Sequence, residues 1–164
     1  MNLRHSSLIQ FVLIVILLAL ALFGLFRKTN ILGARGGQVS KEDVQTDTVR
    51  ITLAEREFAV VVADTPSTRE QGLSGTDAIP HNGMLFVFER PSINQFWMKD
   101  MNYPIDIIWF DEDRTITHIE HSLSPSTFPQ TFGPSDESLY ILEISAGTAQ
   151  RLNLAREQKF DFVR

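Results

Sequence analysis

The run from Leu8 to Phe26, LIQFVLIVILLALALFGLF, is apolar apart from Gln10 and Gly24, and no other feature constrains the chain so strongly. Its 19 residues, as a helix rising ~1.5 Å each, reach ~28 Å, the thickness of a bilayer's hydrocarbon layer. A cleaved signal peptide has a shorter apolar stretch, typically ~7–15 residues, and ends in small side chains. Here large Leu25 and Phe26 run straight into Arg27 and Lys28. A helix buried in a globular fold keeps a polar stripe toward its edges, and none is present. The expectation is an uncleaved N-terminal membrane anchor over residues 1–26, with its single transmembrane helix at 8–26. Arg4 precedes the run while Arg27, Lys28 and Arg35 follow it, so charge asymmetry does not favour the usual topology. A short stub, one span and a C-terminal domain nevertheless suit export, and we expect that domain to be extracytoplasmic.

Residues 27–47 contain three glycines and few apolar side chains, too little to bury, and read as a flexible linker averaging roughly 25 Å end to end. From Thr48 onward, 10 Lys and Arg face 17 Asp and Glu, a formal charge of −7. Nucleic acid is not an expected partner for so acidic a domain. The same charge opposes lying on anionic lipid, so membrane attachment should rest on the helix. The absence of cysteine excludes disulfides, thiol catalysis, cysteine-ligated zinc and lipid attachment through cysteine.

Beyond the linker, short strands alternate with turn signals. Val49, Ile51 and Leu53 alternate with Arg50 and Thr52, the pattern of a half-buried strand, and polar Glu55, Arg56 and Glu57 turn it into a hairpin with a central strand over 58–63. Asp64-Thr65-Pro66 supplies a cap and a first-turn proline for a short helix to about Gln71, ended by Gly72. A strand over 84–88 stops at Glu89-Arg90-Pro91-Ser92, with residues 94–98 as its partner. Strand 105–110 pairs with 115–121 across an acidic turn. Residues 122–136, with three prolines, form a long irregular loop in which Phe128 and Phe132 call for a packing partner. Strand 138–144, a short helix over 148–154 and a closing strand over 160–163 complete the domain. The expected fold is mostly β, an antiparallel sandwich or barrel with two short helices.

Four stretches, Gly83-Met84-Leu85-Phe86-Val87-Phe88, Phe96-Trp97-Met98-Lys99, Pro104-Ile105-Asp106-Ile107-Ile108 and Leu142-Glu143-Ile144-Ser145-Ala146-Gly147, together resemble the family called domain of unknown function 192. The similarity runs over residues 48–164. It implies a compact β sandwich of jelly-roll kind, often behind a signal or anchor segment, and no established activity. The chain departs from the family pattern at Gly72-Leu73-Ser74-Gly75, at Asp100-Met101 after Lys99, and at Glu157-Gln158 in place of a Gly-Asp turn.

Trp97, Met98, Lys99 and Asp106 fall on or beside neighbouring strands and could line one end of a pocket. An indole face flanked by charges suits a sugar or another polar cyclic ligand. The alternative makes Trp97 and Met98 core, with Lys99 and Asp106 an ion pair. Glu143 shares a strand face with Leu139 and Ile141, so it points inward and must be paired, protonated or beside a cavity. With Asp106 it could form the paired carboxylates of a hydrolase; otherwise backbone amides or Lys99 would satisfy it. His118 and His121, three apart, fall on opposite faces of a strand, and with His81, Asp111, Asp113 and Glu120 they make no recognisable metal pattern. Asp111-Glu112-Asp113 lacks the remainder of a calcium loop. No metal or cofactor is expected. The reading is a membrane-anchored module that binds a small polar or carbohydrate-like ligand through Trp97, Met98, Lys99, Asp106 and Glu143. Paired-carboxylate hydrolysis, and an envelope interaction module that uses the loop at Phe128 and Phe132, are the alternatives.

Overall fold

The computed structural model describes residues 47–163. The expected anchor helix at 8–26 and all but the last residue of the linker lie outside them. Among the described residues no helix is long and apolar enough to cross a membrane.

The alternating residues of β1 (Thr48–Leu53) pair with β2 (Arg56–Ala63) as the expected hairpin. Its turn is tighter than the polar cluster suggested: Ala54 and Glu55 alone make it, at φ 50° and 61°, and Arg56 and Glu57 already belong to β2. A two-residue loop with both φ values positive matches the twist of the strands it joins. The short helix α1 (Pro66–Gln71) is capped by Thr65, whose hydroxyl accepts from the Thr68 amide while Thr68 Oγ1 accepts from the Thr65 amide. Then follow β3 (Met84–Ser92), β4 (Phe96–Trp97), β5 (Ile105–Phe110), β6 (Ile116–Leu123), a 3-10 turn (Pro125–Thr127), β7 (Thr131–Phe132), β8 (Ser138–Ser145), α2 (Thr148–Arg151) and β9 (Phe160–Phe162).

Seven strands form one sheet in the order β6-β5-β8-β3-β2-β1-β9, and β4 and β7 form a separate ribbon. Three expectations are corrected. The sheet is mixed, because β2 and β3 run parallel, with Val61 beside Met84; parallel neighbours need a crossover, which α1 and the loop to Gly83 provide. It is a single curled half-barrel in place of a two-sheet jelly roll. The curl brings its two ends together: Thr115, just before β6, bridges Lys159, just before β9, and the Ile116 amide donates to the Gln158 carbonyl at 2.8 Å. Finally, β4 pairs with β7 through Phe96 and Phe132, and the antiparallel partner of β3 is β8. β3 also runs past Pro91, its register with β8 shifting between Val87 and Ser92, where the missing proline N–H breaks no ladder.

Residues opposite each other in a ladder share a face, so the registers divide the side chains into two cores. On one face Leu85, Ile108, Leu142 and Ile144 pack with Ile51, Val60, Ala149 and Phe160. On the other, Met84, Phe86, Ile107, Trp109 and Ile141 pack with Leu73, Met98, Phe96 and Phe132 from the segments that cover the sheet.

Candidate ligand cleft around Glu143

On β8, Glu143 stands between Met84 of β3 and Ile107 of β5, so its side chain joins the second, apolar face as its alternation with Ile141 implies. Gly83 makes this close approach possible: a Cβ there would meet the Glu143 carbonyl oxygen at 2.2 Å, and its φ is 152°. Glu143 is only 5% exposed, and its Oε2 is buried without a hydrogen-bond partner. Neither described ion pair includes it. Burial pushes its pKa up from the ordinary carboxylate value to about 8, leaving it roughly ten to one protonated at neutral pH. A neutral carboxyl both donates and accepts hydrogen bonds.

Glu143 forms part of the wall of a cleft of about 390 Å³ whose other walls include Phe86, Phe88, Phe96 and Trp97. Period-two alternation carries Phe86 and Phe88 to the same side as Met84. Phe96 meets Phe86 edge to face at 4.9 Å and Trp109 at 6.0 Å, which fixes its ring from beneath. Gly72, with φ 48°, lies so close to Phe86 that a Cβ would stand 3.2 Å from the ring. Arg69, Glu70 and Gln71 of α1, with Asn94 and Gln95 before β4, complete the polar lining. Arg69 donates to the carbonyls of Asp64 and Val87 and lies 5.1 Å above the Phe88 ring. Tyr103, whose hydroxyl bonds Thr76, is held above the usual phenol range mainly by burial, with the charge of Glu143 adding to it.

The residues singled out from sequence do not assemble as one group. Trp97 reaches the cleft and is 52% exposed, its ring against Phe128 at 5.6 Å. Lys99 Nζ lies 5.8 Å over that indole, and Lys99 lines a neighbouring depression with Ser67, Ser74 and Asp100. Met98 is 1% exposed and belongs to the core. Asp106 pairs in register with Ile144, one residue from Glu143, and therefore points to the opposite face. There its Oδ1 accepts from the amides of Ser122 at 2.8 Å and Gly147 at 3.0 Å, and its Oδ2 from Ala149 at 2.8 Å. The paired-carboxylate arrangement is not formed, and neither is a Lys99–Asp106 ion pair. His118 pairs with Glu120 at 2.9 Å, and no group of three or more His, Asp or Glu among the described residues could hold a metal ion. Sequence reasoning passed over Arg69, Phe86, Phe88 and Phe96. The signal for the phenylalanines was the every-other spacing of Met84, Phe86 and Phe88, but only the β3–β8 register ties that face to Glu143.

The sequence profile of the DUF192 family, described as Uncharacterized ACR, matches residues 48–162. A solved Sinorhizobium meliloti 1021 protein, described as a candidate transcription regulator, shares 30% identity over 70% of this chain and 92% of its own, with a TM-score of 0.64. A Novosphingobium aromaticivorans DSM 12444 protein of unknown function shares 26% identity over 70% of this chain and 83% of its own, with a TM-score of 0.62. No curated protein matches the chain.

Proposed function

The chain belongs to the DUF192 family, whose members are uncharacterised, and from the cleft itself we propose that its β domain is a small-ligand-binding module tethered to a membrane. The observation that carries this reading is the buried, unpartnered Glu143 carboxyl beside an aromatic-lined cleft. An unsatisfied buried carboxyl costs folding free energy of about 1–3 kcal/mol or more, and a ligand group bonded to it recovers that cost. Phe86, Phe88, Phe96 and Trp97 offer apolar faces to the ligand's body. The tether is the 19-residue apolar run at 8–26, and the short N-terminal stub before a single span is what supports export of the domain. Transcription regulation, the role in the description of the Sinorhizobium meliloti protein, would have to proceed without direct nucleic-acid binding in a domain of formal charge −7, which phosphates repel.

A thermal-shift screen of small polar compounds, sugars included, tests the proposal. Wild type should be stabilised by at least one compound class, and Trp97→Ala and Glu143→Gln should lose that response. No stabilisation of wild type across the screen would overturn the binding reading. A second reading, an interaction surface, is favoured by the exposed Ile93, Trp97 and Phe128; crosslinking that survives Phe128→Ser and Trp97→Ser together would count against it.

A further inference from the structure

We propose that the ligand of this cleft is an organic cation, a primary or methylated ammonium group, whose charge is shared between the Glu143 carboxylate and the faces of the surrounding aromatic rings. The inference rests on the small-ligand reading above and narrows it to one chemical class.

Three observations point to a cation. Aromatic faces attract positive charge, and the protein's own cations already use this: Arg69 lies over Phe88 at 5.1 Å and Lys99 over Trp97 at 5.8 Å, yet neither forms an ion pair with Glu143. The polar groups that a sugar would need are largely committed. Asn94 Nδ2 donates to the Ser138 carbonyl at 2.9 Å and Gln95 Nε2 to that of Pro134 at 2.9 Å, so a ligand with many hydroxyls would leave several unpaired. An anion, in turn, would be repelled by the formal charge of −7 on the domain and would oppose any ionisation of Glu143 beside it.

A cation uses the rings through its charge and the carboxyl as its counter-ion. The exchange of a proton for the cation also keeps the buried site neutral overall, since a buried carboxylate is tolerated once a partner of opposite sign arrives. In the balanced step, the neutral Glu143 carboxyl and a free ammonium ion give a carboxylate–ammonium ion pair and one proton, which passes from the carboxyl to solvent. Burial holds the free carboxyl near 8, so the cation's affinity should rise with pH until Glu143 is ionised without it. The other titratable groups around the cleft are Arg69 and Glu70 of α1 and Lys99 beside Trp97, and Tyr103, outside the lining, feels the charge of Glu143. The strand neighbours Met84 and Ile107 do not titrate.

Isothermal titration of the full chain in nonionic detergent, with benzyltrimethylammonium and with neutral benzyl alcohol, tests this. The cation should bind about tenfold more tightly at pH 7 than at pH 6, and less than about twofold more tightly at pH 9 than at pH 8. At pH 6, buffers of different ionisation enthalpy should report the release of about one proton per cation bound. Glu143→Gln should abolish both effects, and should the variant not fold, the wild-type proton count decides alone. Binding of benzyl alcohol in preference to the cation would overturn the cation proposal and leave the small-ligand reading standing. Cation binding with neither pH dependence nor proton release would also overturn it. If neither probe binds and the screen above is blank, both readings fall.

Discussion

Glu143 and Asp106 both carry carboxyl groups inside the sheet, offset by one residue in the β5–β8 register, and their surroundings give them opposite parts. Asp106 accepts three backbone amides and thereby ties Ser122 and the start of α2 to β5. Hydrogen bonds to a charged group contribute about 1.5–3 kcal/mol each. Asp106→Asn places an amide donor where Oδ2 accepts from Ala149, and should cost on the order of 2–4 kcal/mol in urea unfolding; a loss under about 1 kcal/mol would contradict the structural role. Glu143 has no such support. Folding raises its pKa from 4.5 to about 8, so between those values the folded protein binds more protons than the unfolded chain. The contribution is fully present below pH 4.5 and is lost as pH rises through 8, at up to ~1.4 kcal/mol per pH unit. Glu143→Gln lacks this dependence, so it should gain a few kcal/mol on wild type between pH 5 and pH 9. A constant difference across that range would show that the carboxyl is not held protonated by burial. That Glu143 points inward was legible from its alternation with Ile141, whereas the three donors to Asp106 lie 16 to 43 residues away in sequence and left no local mark.

At the scale of elements, local chemistry and distant partners separate cleanly. The alternation of Val49, Ile51 and Leu53 gave β1 away, and Pro66 and Gly72 bracketed α1, because strand period and helix punctuation are properties of neighbours in sequence. The β1–β2 turn is different, since Ala54 and Glu55 occupy positive φ that asparagine and glycine hold more readily. Glu55→Gly should therefore stabilise the domain by about 0.5–1 kcal/mol in thermal or urea unfolding, and a destabilisation would show the left-handed backbone to be unstrained. Gly83→Ala should do the reverse and cost several kcal/mol, because its Cβ would run into the Glu143 carbonyl. The strand expected to pair β3 became half of the β4–β7 ribbon. Phe96 is apolar enough for either partner, and only the folding over of residues 93–104 selects Phe132.

Across the whole molecule, curling is what makes one sheet sufficient. Two flat faces would leave apolar surface on both sides, but the bridge from Thr115 to Lys159 rolls one core inward, and the short segments around β4 and β7 cover the other. Phe160 closes the roll, fully buried with its ring 4.9 Å from Phe110 and 5.3 Å from Tyr140. Phe160→Ala should cost about 3–5 kcal/mol; retention of wild-type stability would mean that the sheet ends do not depend on each other. The proposed tether makes its own prediction at this scale. Protein starting near Thr48 should leave the membrane fraction with a β-rich circular dichroism spectrum, and sedimentation with membranes would refute attachment through residues 8–26 alone.

What the sequence determined by itself was everything carried by near neighbours: the apolar run, the strand and helix signals, the inward aim of Glu143 and the family pattern across residues 48–162. Tertiary structure alone decided that β2 and β3 run parallel, that the sheet rolls into a half-barrel, and that Phe86, Phe88, Phe96 and Trp97 surround an unpartnered carboxyl. The reason is that pairing and register couple residues dozens of positions apart. A shift of one place in β5 against β8 exchanges the faces of Asp106 and Glu143, and no local pattern encodes that choice.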